Sequence, residues 1–371
     1  MMQFEKLRRY MEEELVGAKG VPGCDILVMR GHEPVFRHFA GMANREENRA
    51  MQGDELYYMY SCTKPVTVTA GMRLVEEGRL LLDAPVSAYL PEYAHLTVRD
   101  GESVRQAERV MTVRHLFTMT AGLNYNTASA PIRQLLAERG ENASTREVVA
   151  AIAQEPLDFE PGERFQYSLC HDVLGAVIEE VAGERYADYL RKTIFEPLGM
   201  TRTGMHPNAQ LRRKMAAQYS YSVGEGIRPA GGGNGFVLSP AYDCGGAGIV
   251  SCVEDYARFA DTLACGGTSV DGYRLLRPET IAQMRTEQLG SVARNAAFSC
   301  AAGPGYGYAL GVRTSLTRSE FGWDGAAGAD LMMDTQNQLS FFFAMHVLGW
   351  PTLVGCVHAA LRDLVYEAMR V

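Results

Sequence analysis

Residues 61–65 read Ser-Cys-Thr-Lys-Pro, and this stretch decides the fold. Proline has no amide hydrogen and is tolerated in an α-helix only in the first turn, so Pro65 predicts that a helix begins close to Ser61. The pattern that follows is mostly apolar, and Gly78 marks its end. The spacing therefore predicts a helix over residues 62–78 with a serine at its entrance.

Ser61 and Lys64 are three positions apart, so the predicted helix places them on one face. A hydroxyl beside an amine is a nucleophile beside a base, because a desolvated lysine can be neutral near pH 7 while arginine, with a pKa above about 12, cannot. The chain has five lysines against 31 arginines, and only Lys64 follows a serine by three residues. The helix dipole and the Ser61 amide would stabilise an oxyanion there. The alternative is a solvated helix pair without chemistry.

Tyr167 is the third catalytic candidate. It lies in Phe-Gln-Tyr-Ser-Leu, residues 165–169, after the turn at residues 160–163. A phenol at a helix entrance can point toward Ser61 and Lys64 and pass a proton to a leaving group. The alternative is a packed aromatic ring with one satisfied hydroxyl.

Residues 321–328, Phe-Gly-Trp-Asp-Gly-Ala-Ala-Gly, form a small-residue stretch beside an apolar strand. Glycine allows close backbone approach, so a substrate can lie here with the Ala326 amide as a second oxyanion donor. A glycine-rich strand edge or bulge is the alternative. We expect five side chains or backbone segments to contact the substrate: Trp323, Asp324, Gly325, His171 and Tyr125.

Composition narrows the class of protein. The chain has 371 residues, of which 47% are hydrophobic and 22% charged, with a formal net charge of -8 and no run of basic residues. This excludes a nucleic-acid-binding groove and favours one large domain or two packed domains. Residues 1–20 predict an amphipathic helix rather than a signal-peptide core, and no segment has a membrane-spanning run of apolar residues. We expect a cytoplasmic protein without a membrane partner; the oligomeric state stays open.

No metal or cofactor is expected. The eight cysteines contain no C-x-x-C pair, so they predict free thiols, and the eight histidines show no metal-like spacing. The glycines at 231–235 and 245–248 indicate compact turns rather than a phosphate cradle.

The remaining periodicity predicts α and β elements in separate parts of the chain. A hairpin is expected at 25–29 and 35–40; helices at 145–154, 171–182, 186–194 and 353–369; and strands at 306–313, 329–333 and 339–347. Terminal helices beside late strands imply one sheet built from both ends of the chain.

Five segments together resemble the class C β-lactamase and penicillin-binding-protein superfamily, and within it the family VIII carboxylesterases. They are residues 61–64, 116–123, 161–168, 245–251 and 323–325. The resemblance implies an α+β fold, with an antiparallel sheet flanked by helices and an inserted, mainly helical domain. It implies an α/β domain of residues 1–60 and 240–371, a helical domain of residues 61–239, and an active site at their junction. It also implies acyl transfer through a serine ester, followed by water.

Two departures shape the expected substrate. Leu169 stands where penicillin-recognising enzymes carry the Asn of Tyr-x-Asn, and Trp323-Asp324-Gly325 stands where they carry Lys-Thr-Gly. A tryptophan cannot hold a substrate carboxylate by charge, and a carboxylate facing the site would repel it. A small neutral ester is therefore expected. The alternatives are a β-lactamase or D-alanyl peptidase acting on an amide, and a non-catalytic binding or sensing module.

Overall fold

The computed structural model describes residues 2–294, 298, 303, 305–351 and 353–371. Its strands are β1 Gly23–Arg30, β2 Glu33–Asn44, β3 Arg49–Ala50, β4 Tyr57–Tyr58, β5 Thr97–Asp100, β6 Ser103–Gln106, β7 Tyr219–Ser222, β8 Gly226–Pro229, β9 Val250–Ser251, β10 Tyr306–Tyr308, β11 Arg313–Ser315, β12 Glu320–Asp324, β13 Asp330–Asp334, β14 Leu339–Met345 and β15 Val347–Leu348.

The α-helices are α1 Glu5–Arg9, α2 Thr63–Glu76, α3 Val113–Phe117, α4 Ala130–Arg139, α5 Thr145–Ile152, α6 Cys170–Ala182, α7 Tyr186–Leu190, α8 Ala209–Arg212, α9 Val253–Ala264, α10 Pro278–Arg285 and α11 Ala359–Met369. Turns of 3-10 or π-helix cover Met2–Phe4, Tyr10–Ala18, Tyr60–Cys62, Val86–Ala88, Pro91–Tyr93, Gly140–Asn142, Arg191–Phe195 and Leu353–His358. Among the described residues, no helix has the length and apolar composition needed to cross a bilayer.

The principal sheet has eight strands in the order β10-β11-β12-β13-β14-β1-β2-β3, and every neighbouring pair is antiparallel. Strand β1 pairs with β14, with Ile26 opposite Phe343. The first strands of the chain thus meet the last ones, which confirms the prediction of one sheet built from both ends.

The sheet is buried on both faces. Alternate side chains of β14 point to opposite sides: Phe341 and Phe343 join one hydrophobic cluster and Phe342 joins the other. The first cluster includes Leu7 of the predicted N-terminal amphipathic helix and Val365 of α11. The second contains most of α2, α6 and α9, so the helix that carries Lys64 packs into the larger core.

One prediction of secondary structure was wrong. Residues 306–313 form β10 and the start of β11, joined by a tight turn in which the Ala309 amide donates to the Val312 carbonyl over 2.9 Å. Gly311 takes a φ of +75° there, and a side chain on it would meet Val68 at 2.1 Å. The middle of the chain also contains the hairpins β5–β6 and β7–β8 beside its helices. The domain boundaries at 60/61 and 239/240 stay a prediction.

A buried ion cluster holds β11, β12 and β13 together. Arg313 has no exposed surface and donates to Asp330 over 2.8 Å and to the Asp324 carboxylate. Arg362 of α11 donates to both oxygens of Asp330 over 3.3 Å. Since a buried charge is costly unless it is paired, these four side chains fix the strand that ends at Asp324.

We expect Arg313→Ala to lower the free energy of unfolding by about 3–5 kcal/mol, because it leaves two buried carboxylates short of a partner. Urea denaturation followed by circular dichroism measures the change. Arg30→Ala is the matched control, because Arg30 is exposed on the same sheet. Equal midpoints for the two variants would contradict the structural role of the ion cluster.

Candidate active site

Ser61 lies in the 3-10 turn Tyr60–Cys62 that leads into α2. Tyr60, the residue before it, has a φ of +47°, in the left-handed region that non-glycine residues rarely adopt. Neighbouring contacts hold this strained turn: the Tyr60 hydroxyl donates to Gln218 over 2.6 Å, and the Tyr256 hydroxyl donates to the Cys62 carbonyl. Strain of this kind is typical of functional sites, where the surroundings fix one side chain.

Ser61, Lys64 and Tyr167 converge. The Tyr167 hydroxyl donates to Ser61 Oγ over 2.6 Å, and Lys64 Nζ donates to the same oxygen over 3.2 Å. The Lys64 nitrogen also lies 4.6 Å from the centre of the Tyr167 ring. Ser61 and Tyr167 are partly exposed, whereas Lys64 is fully buried. The arrangement places a base and a second proton carrier on one accessible hydroxyl.

Lys64 has three hydrogen-bond acceptors. They are Ser61 Oγ, the Tyr125 hydroxyl at 3.3 Å and the Gly246 carbonyl at 2.8 Å. An ammonium has three donors, so the protonated form of the buried amine finds a partner for each. Burial, with the nearby Tyr167 hydroxyl, raises the pKa of Tyr125 well above its ordinary value, so Tyr125 stays neutral.

The Gly246 carbonyl is a site group that the sequence did not point to. The preceding peptide unit is held by Asp172 of α6, whose Oδ1 accepts from the Gly246 amide over 3.2 Å and from the Tyr242 hydroxyl over 2.6 Å. Thr67 of α2 donates to the Gly245 carbonyl over 2.6 Å. Gly245 must be glycine, because a side chain would meet the His171 carbonyl at 2.3 Å. Residues 245–248 do form a compact turn, and that turn presents an acceptor to Lys64.

Three aromatic rings stack behind the nucleophile. Tyr125 and Tyr167 lie 5.4 Å apart between ring centres, and Tyr167 and Trp323 lie 5.8 Å apart. The Trp323 indole is only 2% exposed, and its N–H points at the Tyr167 hydroxyl over 3.4 Å. The predicted substrate contact by this ring is therefore wrong, since Trp323 instead supports the phenol. Tyr125, which is partly exposed, keeps a surface for substrate.

Ala326, one of the two predicted oxyanion donors, lies two residues after the end of β12, near the segment that carries the other, Ser61. Gly325 packs against the serine segment, because a side chain on it would meet the Met59 carbonyl at 2.5 Å. Its own amide donates to the Ala329 carbonyl over 2.8 Å. Ala326, the next residue, is exposed. Within the part of the chain that the structure describes, neither the Ala326 amide nor the Ser61 amide has an internal acceptor. Both are thus free to donate to a ligand oxygen.

Two other predicted substrate contacts are wrong. The Asp324 carboxylate faces away from Ser61 and is buried in the ion cluster with Arg313, which holds its pKa well below the ordinary value despite burial. The His171 side chain has no exposed surface, because it packs between α3 and the turn at Gly311. Burial, with the nearby Lys64 charge, lowers the pKa of His171 to about 3.

Leu169, the residue at the expected Asn position, is 5% exposed and packs in the core. Its side chain offers Lys64 no polar group, and the Gly246 carbonyl with the Tyr125 hydroxyl supplies acceptors instead. The Gly246 carbonyl and Tyr125, from the loop after α3, thus bind Lys64 in place of the missing Asn side chain.

Sequence comparison decides the family. A model of the beta-lactamase family matches residues 8–361 of the chain. The chain belongs to the beta-lactamase family. Like the hydrolases of that family, the protein is an enzyme of the serine hydrolase class.

Relatives of this beta-lactamase family chain include proteins described as esterases. Esterase EstB of Burkholderia gladioli is 31% identical over 387 residues, covering 96% of this chain and 92% of EstB. Protein Rv1367c of Mycobacterium tuberculosis is 32% identical over 312 residues, covering 79% and 78% of the two chains. Among solved structures, "EstCE1, a hydrolase with promiscuous acyltransferase activity" superposes with a TM-score of 0.79 at 26% identity, over 98% of this chain and 99% of EstCE1. The predicted fold and family are confirmed.

The buried His171 should make the protein sensitive to acid. Its folded pKa of about 3 lies below the ordinary 6.5, so the unfolded chain binds the proton first and stability falls as the pH drops from about 6.5 toward 3. We expect His171→Gln to flatten this fall by up to about 1.4 kcal/mol per pH unit. Urea unfolding at a series of pH values measures the slope, with the exposed His95→Gln as control. The same slope in both variants would refute the assignment.

Asp172 is a positioning residue, since it binds the amide of Gly246 while Lys64 binds the carbonyl of the same residue. We expect Asp172→Ala to lower kcat toward a p-nitrophenyl ester by up to about 100-fold, because a displacement of about 1 Å costs that much. Asp172→Asn, which keeps the Oδ1 acceptor, should retain more activity. Equal losses in the two variants, or an unchanged kcat with a raised KM in Asp172→Ala, would contradict this role.

Proposed function

We propose that the protein is a carboxylesterase that cleaves a small neutral ester through an acyl-enzyme on Ser61. The convergence of the Ser61 hydroxyl, the Lys64 amine and the Tyr167 phenol carries this proposal. Three such groups within hydrogen-bond reach provide a nucleophile, a base and a proton donor for the leaving group.

In the acylation step, neutral Lys64 accepts the Ser61 proton while Ser61 Oγ bonds to the ester carbonyl carbon. The ammonium that forms is stabilised by Tyr125 and the Gly246 carbonyl, which already lie within reach of Nζ. The amides of Ser61 and Ala326 donate to the carbonyl oxygen as it becomes negative. The carbon–oxygen bond to the alcohol then breaks, and the alcohol takes a proton from Tyr167, which is replenished from Lys64.

Water completes the cycle. It loses a proton to the same pair, Tyr167 and Lys64, and attacks the acyl carbon, so the acid is released and Ser61 regains its proton. The Trp323 N–H supports the Tyr167 oxygen when that oxygen carries negative charge. The contribution of Trp323 is thus to proton transfer rather than to substrate recognition.

The charges around the site favour a neutral substrate. Among the described residues, no ion pair or hydrogen bond links an arginine or a second lysine to Ser61, Lys64 or Tyr167. Arg313, on strand β11 of the adjoining sheet, is fully buried and paired with Asp324 and Asp330. Within the described residues, these three groups therefore have no bonded arginine or second lysine that could hold a substrate carboxylate, unlike a site built to bind an anion.

Relatives support the ester over an amide. EstB and the lovastatin esterase of Penicillium rubens are described as esterases, the latter 28% identical over 303 residues. We propose that two segments, 124–137 with the start of α4 and 205–236 with α8 and the β7–β8 hairpin, shape the acyl and alcohol pockets. Tyr125 and the half-buried Phe236, whose rings lie 5.7 Å apart, belong to these segments.

We expect Ser61→Ala and Lys64→Met each to lower kcat/KM for a short p-nitrophenyl ester by about 10³-fold or more, without loss of folding. The exposed Lys192→Met is the matched control and should retain wild-type activity. Nitrocefin, assayed beside esters of increasing chain length, tests the substrate class.

Three results would overturn the proposal. Activity retained in Ser61→Ala would show that Ser61 is not the nucleophile. Preferential hydrolysis of nitrocefin would show that the protein is a β-lactamase. A persistent adduct on Ser61 after an activated ester, seen by intact-mass measurement without turnover, makes it a binding or sensing module.

A further inference from the structure

Three side chains of types that bind transition metals converge outside the Ser61 site. His32 lies on the two-residue turn between β1 and β2, Asp261 lies in the last turn of α9, and Cys265 caps that helix. Their candidate ligand atoms all lie within 4.8 Å of one another. His32 Nδ1 is 2.7 Å from Asp261 Oδ2, and Cys265 Sγ is 3.5 Å from Asp261 Oδ1.

We propose that His32, Asp261 and Cys265 bind one Zn²⁺ ion. Imidazole, carboxylate and thiolate are the donors that zinc takes in proteins, and three protein ligands leave one position of a tetrahedron open. Zinc–ligand bonds of about 2.0–2.3 Å place two ligand atoms about 3.3–3.6 Å apart in that geometry. Cys265 Sγ already lies at such a distance from Asp261 Oδ1, whereas His32 Nδ1 lies 2.7 Å from the other carboxylate oxygen, Oδ2. A shift of the imidazole by about 0.6 Å or more, with rotation of the carboxylate, must therefore bring one oxygen to this distance from both ligand atoms.

The backbone fixes two of the three ligands. Gly31 and His32 both have positive φ, of 57° and 72°, as in the two-residue turns that tightly close a hairpin. The His32 amide donates to Asp261 Oδ1 over 3.1 Å, so the turn is already tied to α9. The His32 side chain is 28% exposed and the Asp261 side chain 5%, which leaves the imidazole room for the small shift.

Charge and protonation fit the ion. Burial, with the Asp261 carboxylate beside it, raises the pKa of the Cys265 thiol to about 12, so without a metal the sulfur keeps its proton. Zn²⁺ displaces that proton, and one thiolate with one carboxylate neutralises its two charges. The two nearby arginines are already paired, Arg37 with Asp25 and Arg258 with Glu254.

The fourth coordination position of the zinc ion can be filled from a neighbouring cavity. His32 and Asp261 both line a cavity of about 470 Å³ between the β1–β2 hairpin and α9, which also contains apolar side chains such as Leu27 and Leu198. A water or an anionic group of a small molecule can complete the tetrahedron from this side. The cavity shares no residue with the Ser61 site.

A second cluster of metal-binding residue types is buried and already occupied by arginines. Asp324, Asp330 and His358 also place their ligand atoms together, but all three are buried. Arg313 and Arg362 already occupy the carboxylate oxygens there. A metal ion would be a third cation beside these two arginines, so we assign no ion to that cluster.

Co²⁺ titration of the full-length protein, purified and dialysed against a chelator, tests the zinc site. One equivalent should bind and produce the charge-transfer absorption of a cobalt–thiolate bond, and Zn²⁺ should displace it. Cys265→Ser should abolish the absorption and weaken Zn²⁺ binding by at least about 100-fold, the upper end of what loss of an outer-shell partner costs. Cys356→Ser, which removes an exposed thiol elsewhere on the chain, is the control and should bind like the wild type.

Thermal unfolding gives an independent readout. Zn²⁺ should raise the Tm of the wild type and of Cys356→Ser, and should leave the Tm of Cys265→Ser and of His32→Gln unchanged. Absence of a cobalt–thiolate band in the wild type, or wild-type affinity in Cys265→Ser, would overturn the proposal. Esterase activity plays no part in either measurement.

Discussion

The burial of the Lys64 amine is the constraint on which the site depends. An amine with no exposed surface is unfavourable unless its donors are satisfied, and here a serine, a tyrosine and a backbone carbonyl accept from it. The carbonyl comes from a turn of glycines that packs on α6 and is held there by Asp172. The geometry of the nucleophile therefore depends on contacts between segments more than 100 residues apart.

The two faces of strand β12 make different contacts. On one, Trp323 supports the Tyr167 phenol; on the other, Asp324 joins Arg313 in a buried ion cluster. Alternation along a strand sends neighbouring side chains to opposite sides, so a residue beside a functional tryptophan is not itself in the site. The ion cluster fixes the position of the strand end, and with it the exposed amide of Ala326.

The Ser61 site and the proposed zinc site lie at different places along the sheet. The Ser61 site lies where α2, α6 and the end of β12 meet, and the proposed zinc site lies where the β1–β2 turn meets the end of α9. Helix α9 packs on β14 and donates, through Tyr256, to the carbonyl next to the nucleophile. It therefore connects the two regions through rigid packing.

The sequence by itself determined that Ser61 and Lys64 lie side by side and that one sheet uses both ends of the chain. These features rest on local patterns: a proline in the first helical turn, a three-residue spacing and apolar strands near both termini. Only the tertiary structure decided which neighbours face the site. Trp323, Asp324 and His171 were assigned to substrate because they flank the right residues, yet burial directs them elsewhere. The Gly246 carbonyl and the convergence of His32 with Asp261 have no local signal, since contacts between distant segments are set by packing of the whole chain.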